Sequence, residues 1–356
     1  MEQRDPLVII GGGQSGLAAA REARRQGLRP LVLEARDKPT GSWPDYYDSL
    51  ELFSPARFSS MPEAPFPADP DHYPTRDEVA GYLVGYADRL DVEIRTSVRV
   101  TAVHARPGGG FLVHTAAGDE LQAAGLVAAT GSFGNPHRPL LPGQDQFPGR
   151  ILHAADFRSA ADFAGRRVVV VGGGNSAAQI AYDLAEVATT TIASRSPLQL
   201  VAQRPDGHDI HHRLTAGFDD LPLEWLAPLL TATLVLDPGR YGEALAAGRL
   251  DRRPMFSAFD AEAIVWSDGT RERVDAVVFA TGYRPGLDYL QPLGALEHGF
   301  PKHIGGISTT HPGLAYTGLE LQRSFSSNTL RGVSRDAAHV MGPLAAHVRG
   351  AYTAVA

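Results

Sequence analysis

The sequence predicts an α/β fold holding two Rossmann-like dinucleotide-binding units, on the strength of three observations. A short apolar strand runs into a glycine loop and then a helix twice, at residues 7–26 and 168–187. The two loops share the G-x-G-x-x-G/A spacing. Each unit is followed further along by an apolar strand ending in Ala-Thr-Gly, at residues 126–131 and 276–282.

The first unit opens with Leu7-Val8-Ile9-Ile10, a run suited to a strand buried on both faces. Gly11-Gly12-Gly13-Gln14-Ser15-Gly16 follows. Gly11 permits the tight turn, Gly13 lets backbone approach a pyrophosphate, and Gly16 lets the helix pack on the strand. A helix over residues 14–26 then offers the free N–H groups of its first turn, Ser15 among them, to phosphate oxygens. The next strand, Pro30 to Leu33, ends at Glu34, 23 residues after Gly11. An acid there accepts hydrogen bonds from a ribose diol and repels a 2′-phosphate, so this site suits FAD. Residues 41–74, rich in Pro, Ser and aromatics, read as loop. Thr75 and Glu78 form a capping box that starts a helix running to about Leu90. Val98–Val103 and Phe111–His114 read as strands around the Pro107–Gly110 turn, and Leu126–Ala129 as a buried strand ending in Thr130-Gly131.

The second unit repeats this grammar. Val168–Val171 leads into Gly172-Gly173-Gly174-Asn175-Ser176-Ala177, a helix from Ser176 to about Val187, and a strand through Ile192 to Arg195. Arg195 stands 23 residues after Gly172, the position of Glu34 in the first unit, and Ser196 follows it. An arginine there can pair a 2′-phosphate bidentately, so this site suits NADPH, with NADH as the alternative. Residues 200–255 hold two further helices among several Pro and Gly, and Ala276–Ala280 is a strand ending in Thr281-Gly282. Residues 1–150 and 282–356 are thus expected to form the FAD domain, interrupted by an NAD(P)H domain at 151–281.

Composition narrows the chemistry. With no cysteine in 356 residues, disulfide frameworks, thiolate-bound zinc, catalytic thiols and CxxC redox pairs are excluded. Only Lys38 and Lys302 are lysines, which disfavours a Schiff-base mechanism. Lys+Arg of 33 against Asp+Glu of 40 gives a net charge of −7 with no basic stripe, so no nucleic-acid partner is expected. No apolar run reaches the roughly 18–20 residues of a membrane helix, and the mixed-charge start does not read as a signal peptide, so none is expected. A cytoplasmic protein, with a homodimer as default assembly, is the expectation. The histidines of 207–212 have no common metal-ligand spacing and read as a solvated loop near the cofactor cleft, so no metal is expected.

Between the two units lies Phe147-Pro-Gly149-Arg-Ile-Leu-His153-Ala-Ala-Asp-Phe157, an F-x-G-x-x-x-H-x-x-x-F pattern. It resembles the identifying motif of the flavin-containing monooxygenases. Gly41-Ser42-Trp43, Ala129-Thr130-Gly131-Ser132 and Ala280-Thr281-Gly282-Tyr283-Arg284-Pro285 strengthen the resemblance, which spans nearly the whole chain. The related Baeyer–Villiger fingerprint ends in Trp followed by Pro or Asp, whereas Phe157-Arg158 stands here, nearer the N/S-oxygenating branch. The resemblance implies that NADPH reduces FAD, that O2 forms a C4a-(hydro)peroxyflavin, and that a small-molecule sulfide or amine is oxygenated. Baeyer–Villiger activity on ketones is a further option within that family. It assigns the flavin segment to residues 50–55, where many members carry Asn and Phe53 stands here. It also points to His153 at the domain junction, to Trp43, Phe53 and Phe58 as an apolar wall, and to Gln322 and Ser324 as donors to the flavin ring. Read from its residues alone, His153 is equally a staple joining two domains. The alternatives are an FAD-dependent NAD(P)H oxidoreductase serving another acceptor and a non-catalytic redox module.

Overall fold

The computed structural model describes residues 5–226 and 233–350. Leu7–Ile10, Pro30–Leu33 and Gly125–Ala128 are buried at every position, as continuous apolar runs are when a parallel sheet is covered on both faces. They form the centre of a seven-stranded sheet in the order His303–Ile304, Ile307–Ser308, Leu314–Tyr316, Gly125–Ala128, Leu7–Ile10, Pro30–Leu33, Glu93–Arg95. Leu314, Ala315 and Tyr316 pair in parallel with Leu126, Val127 and Ala128, so residues near the far end of the chain complete the first sheet.

Alternate positions of the strands serve opposite layers. Leu7, Ile9 and Val32 pack with Leu17 and Ala20 of the helix Gln14–Arg25 and with Val340 and Leu344 of the helix Val333–Val348. Val8, Ile10, Leu31 and Leu33 face Val103, Phe111 and Val113 of a three-stranded antiparallel layer.

The second sheet has five parallel strands, in the order Asp251–Pro254, Thr189–Ser194, Arg167–Val171, Ala276–Phe279, Arg150–His153. Val168 and Val170 pack against Ile180 and Leu184 of the helix Asn175–Ala185. Val169 and Val171 face Phe256, Phe259 and Trp266 beneath a small antiparallel sheet.

The repeated Ala-Thr-Gly endings have a packing explanation. Ala129 N donates to Ile10 O at 2.8 Å, and Ala280 N to Val171 O at 2.7 Å, so each ending lies beside its own glycine loop. A Cβ on Gly11 would stand 2.6 Å from Ala129 O, and Gly11 has φ +106°. Gly172 presses in the same way on Ala280 O. Only glycine fits where strand end and loop approach this closely.

Several boundaries differ from expectation. The capped helix runs Arg76–Ala87 rather than to Leu90, and the strand after the second loop stops at Ser194. The loop 41–74 contains 3-10 turns at Trp43–Asp45 and Ala56–Phe58. Within 200–255, Gln199–Ala202 pairs in parallel with Leu234–Asp237, and the helices are short: His211–Thr215, Leu223–Leu226 and Arg240–Ala246. Pro and Gly interrupt that stretch too often for longer helices. Among the described residues, no helix is long and apolar enough to cross a membrane.

Candidate active site

A cleft of about 730 Å³ runs from the first glycine loop to the start of the second unit's helix. Gly11, Gly13, Ser15, Glu34, Trp43, Phe53, Thr130 and Gly131 border it from one side, and Asn175 and Ser176 from the other. Most of the sequence-predicted site residues therefore meet in one space.

At the first loop, the N-terminal end of the Gln14–Arg25 helix has no side-chain cap, so its N–H groups face outward. Glu34 is buried, and its carboxylate accepts from Gly12 N at 2.6 Å and Arg36 N at 2.8 Å. Two backbone donors thus hold it at the cleft edge. Gln14 joins three segments: it accepts from Trp43 Nε1 at 2.7 Å and donates to Asn328 O at 2.7 Å.

At the second loop, the Asn175 side chain is tied to the Leu234–Asp237 strand, accepting from Leu236 N at 2.9 Å. The helix Asn175–Ala185 is bridged to the first unit through Gln179, which accepts from Tyr47 Oη and donates to Glu51 O at 3.1 Å. Arg195 and Ser196 are exposed just beyond the strand end and lie outside the cleft lining. The backbone there is held by Ser194 Oγ donating to Ser196 O at 2.7 Å.

His153 is fully buried and does not line the cleft. Its Nδ1 accepts from Ala155 N at 3.1 Å, so Nε2 carries the proton and donates to Gly282 O at 3.1 Å. Burial lowers the His153 pKa, with the Gly282 carbonyl working in the opposite direction. The ring meets Tyr283 edge-on at 5.1 Å, Tyr283 meets Phe133 at 5.2 Å, and Phe133 meets Tyr46 at 5.7 Å. An aromatic chain therefore links His153 to the cleft wall. Burial pushes the Tyr283 phenol up to about 12, so it stays protonated.

The threonines of both Ala-Thr-Gly endings brace the same junction. Thr130 Oγ1 donates to Gly286 O at 2.8 Å, and Thr281 Oγ1 to His137 O at 2.6 Å. Gly282 accepts from His137 N at 2.9 Å as well as from His153. Thr281 and Gly282 thus lie at the junction between the two sheets, outside the cleft lining.

Gln322 also lies away from the cleft. It is buried, donates to Tyr316 O at 2.9 Å and accepts from Leu319 N, closing its own loop. Ser324 is buried with its hydroxyl 3.2 Å from that of Ser326. Of the expected wall, Trp43 and Phe53 border the cleft, whereas Phe58 packs behind it against His211 and His212. The expectation of a solvated 207–212 loop is corrected: Asp209 and His211 are buried and bonded to each other. Apolar cover from Phe53 and Phe58 is what draws His211 inside. Among the described residues, no three metal-ligand side chains converge. Gln14 and Gln179 were not singled out from the sequence, and Tyr283 entered only as part of the Ala280–Pro285 run. Gln14 had one available signal, its variable position inside the first glycine loop.

Comparison with known proteins agrees with this geometry. Residues 8–212 match the family described as pyridine nucleotide-disulphide oxidoreductase. The chain is 30% identical to the rice indole-3-pyruvate monooxygenase YUCCA1, covering 81% of this chain and 79% of that enzyme. It is 26% identical to the Bacillus subtilis uncharacterized oxidoreductase CzcO over 94% of this chain and 97% of that protein. The solved structure of the flavin-containing monooxygenase from Stenotrophomonas maltophilia superposes with a TM-score of 0.84 at 33% identity, over 98% of this chain and 99% of that one. The chain belongs to the pyridine nucleotide-disulphide oxidoreductase family and, within it, to the flavin-containing monooxygenases, as a flavin-dependent enzyme that uses FAD and NADPH.

Proposed function

We propose that this monooxygenase oxygenates soft nucleophiles, sulfides or amines, with FAD held by residues 1–150 and 282–356 and NADPH by residues 151–281. The observation that carries the reading is the single cleft bordered by both glycine-loop units and walled by Trp43, Tyr46, Phe53, Phe133 and Tyr283. FAD, once reduced by NADPH, supplies the activation of O2. The fit to that cofactor rests on the first loop, where Gly11, Gly13 and Ser15 border the cleft at an uncapped helix end.

The chain's own residues bind, orient and keep water out. Gly11, Gly13 and Ser15 take the FAD pyrophosphate, Gly16 lets the helix pack on the strand behind them, and Glu34 takes the ribose. Gly172, Gly174, Asn175 and Ser176 take the NADPH pyrophosphate, while Arg195 and Ser196 take the 2′-phosphate. Thr130 and Gly131 shape the cleft edge. His153, Thr281 and Gly282 are positioning residues at the junction of the two units, whereas Gln322 braces its own loop. Phe53 and the aromatic wall exclude water from the oxidising centre. No protein nucleophile is required, consistent with the absence of cysteine.

The test is anaerobic reduction with NADPH followed by O2, with a product screen of sulfides, amines and ketones. Sulfoxide or N-oxide is expected in proportion to NADPH consumed. Peroxide as the sole product of every substrate would replace this reading with an NADPH oxidase.

A further inference from the structure

A buried polar pair lies behind the aromatic wall, and nothing in the proposed reaction uses it. His211 is 1% exposed and sits between two rings, stacked on Phe53 at 6.1 Å and on Phe58 at 5.9 Å between centroids. Its Nδ1 lies 2.7 Å from Asp209 Oδ1, and its backbone N–H donates to the same oxygen at 2.8 Å. The other Asp209 oxygen accepts from Tyr73 Oη at 2.6 Å, and Arg204 Nε donates to that hydroxyl at 3.1 Å. Burial alone would raise the Asp209 pKa, but the hydrogen bonds from His211 and Tyr73 outweigh it and hold the group below the usual carboxylate range. Asp209 is therefore a carboxylate that can only accept, and Nδ1 must carry the His211 proton. With Nδ1–H committed to Asp209, Nε2 is the ring nitrogen left to meet a partner, and in the neutral ring it offers a lone pair, the arrangement that an aspartate imposes on the base of a catalytic triad.

Among the described residues, no group hydrogen-bonds to Nε2, although the atom is buried. Buried polar atoms are almost always partnered, so each exception calls for an explanation, and a bound partner is one. Phe53 both covers His211 and borders the cleft, and at 39% exposure it is the freest ring of the stack. We propose that His211 Nε2 is a substrate subsite, accepting a hydrogen bond from an O–H or N–H of the substrate once the Phe53–His211–Phe58 stack opens to the cleft. A neutral donor suits it better than an anion. An anion facing the ring would lie close to the Asp209 carboxylate in a buried setting, where like charges are costly.

The activity arm of the test rests on the oxygenase reading; the binding arm does not. The FAD-loaded full chain carrying ¹⁵N-labelled histidine is titrated with thioanisole, 4-(methylthio)benzyl alcohol and 4-(methylthio)benzoate. The His211 signals are assigned by their loss in His211→Phe, a variant that keeps the ring stack. The alcohol should move the Nε2 resonance and thioanisole should not. In turnover, the alcohol should show a KM about tenfold below that of thioanisole at similar kcat, the effect of one added hydrogen bond. His211→Phe and Asp209→Asn should each erase that difference. An Nε2 resonance unmoved by saturating alcohol overturns the proposal, and so does a shift with the benzoate alone, which would mark an anion site. Should His211→Phe not fold, Asp209→Asn supplies the assignment and the wild-type titration decides. A shift with the alcohol but no product from any probe would sink the oxygenase reading and leave the subsite standing.

Discussion

Trp43 donates its indole N–H to the side chain of Gln14 at 2.7 Å, and Gln14 donates in turn to the carbonyl of Asn328 at 2.7 Å. One side chain from the first glycine loop thereby holds the 41–54 loop and the C-terminal segment in place, and all three border the cleft. Replacing Gln14 by Leu should weaken FAD retention about tenfold, the size of one or two lost hydrogen bonds. Trp43→Phe removes only the first of these bonds and should have a smaller effect, and the double variant should be no worse than Gln14→Leu alone, which already lacks both. Free-flavin fluorescence on dilution measures this, and fully additive losses would mean the two residues act separately.

Nicotinamide preference should follow Arg195. Its exposed position beyond the Thr189–Ser194 strand leaves it open to a 2′-phosphate, and a charged hydrogen bond there contributes about 1.5–3 kcal/mol. Arg195→Ala should raise the NADPH KM at least tenfold, on the order of that energy, while changing the NADH KM little. Steady-state KM values for both nucleotides decide it, and an equal rise for both would remove Arg195 from the 2′-phosphate site.

Acid should loosen the junction through His153. Burial holds its folded-state pKa below the unfolded value of about 6.5. The unfolded chain then binds more protons, so stability is complete above that value and falls as pH drops through it toward the folded pKa. His303, also lowered by burial, acts in the same direction. His153→Gln keeps a donor toward Gly282 O but cannot titrate. It should cost about 1–2 kcal/mol near pH 8 from imperfect bonding, and show a shallower loss of Tm as pH falls below about 6.5. Parallel Tm curves for variant and wild type would show that His153 does not drive the acid response.

How much of this was legible in the sequence differed by element. The two cradles and their strands were, because a glycine loop needs glycine at fixed spacing and a doubly covered strand needs an unbroken apolar run. The Thr75–Glu78 capping box was readable for the same local reason. His153 was found by motif, but its role rests on Gly282, 129 residues away, which spacing cannot reveal. The Asp209–His211 pair looked polar and therefore exposed. Its burial depends on Phe53 and Phe58, which arrive from the other unit's loop. Gln322 was misjudged in the same way, since its partners at Tyr316 and Leu319 turn it back into its own loop.

The near-identity of the two cradles makes their separate roles testable with one substitution at each. Gly11 has φ +106°, and an added Cβ would meet Ala129 O at 2.6 Å, with rigid backbone on both sides. Gly172 meets Ala280 O in the equivalent way. Alanine at either position must push a glycine loop off its strand end, at a cost of about 1–3 kcal/mol for the strained backbone alone. The strain acts locally, so the two variants should fail differently. Gly11→Ala should be purified with little or no FAD. Gly172→Ala should keep its FAD, be reduced normally by dithionite, and lose reduction by NADPH. Absorbance of bound flavin and anaerobic bleaching read both outcomes. A Gly172→Ala protein that loses FAD while Gly11→Ala retains it would reverse the assignment, placing FAD in the 151–281 unit and NADPH in the other.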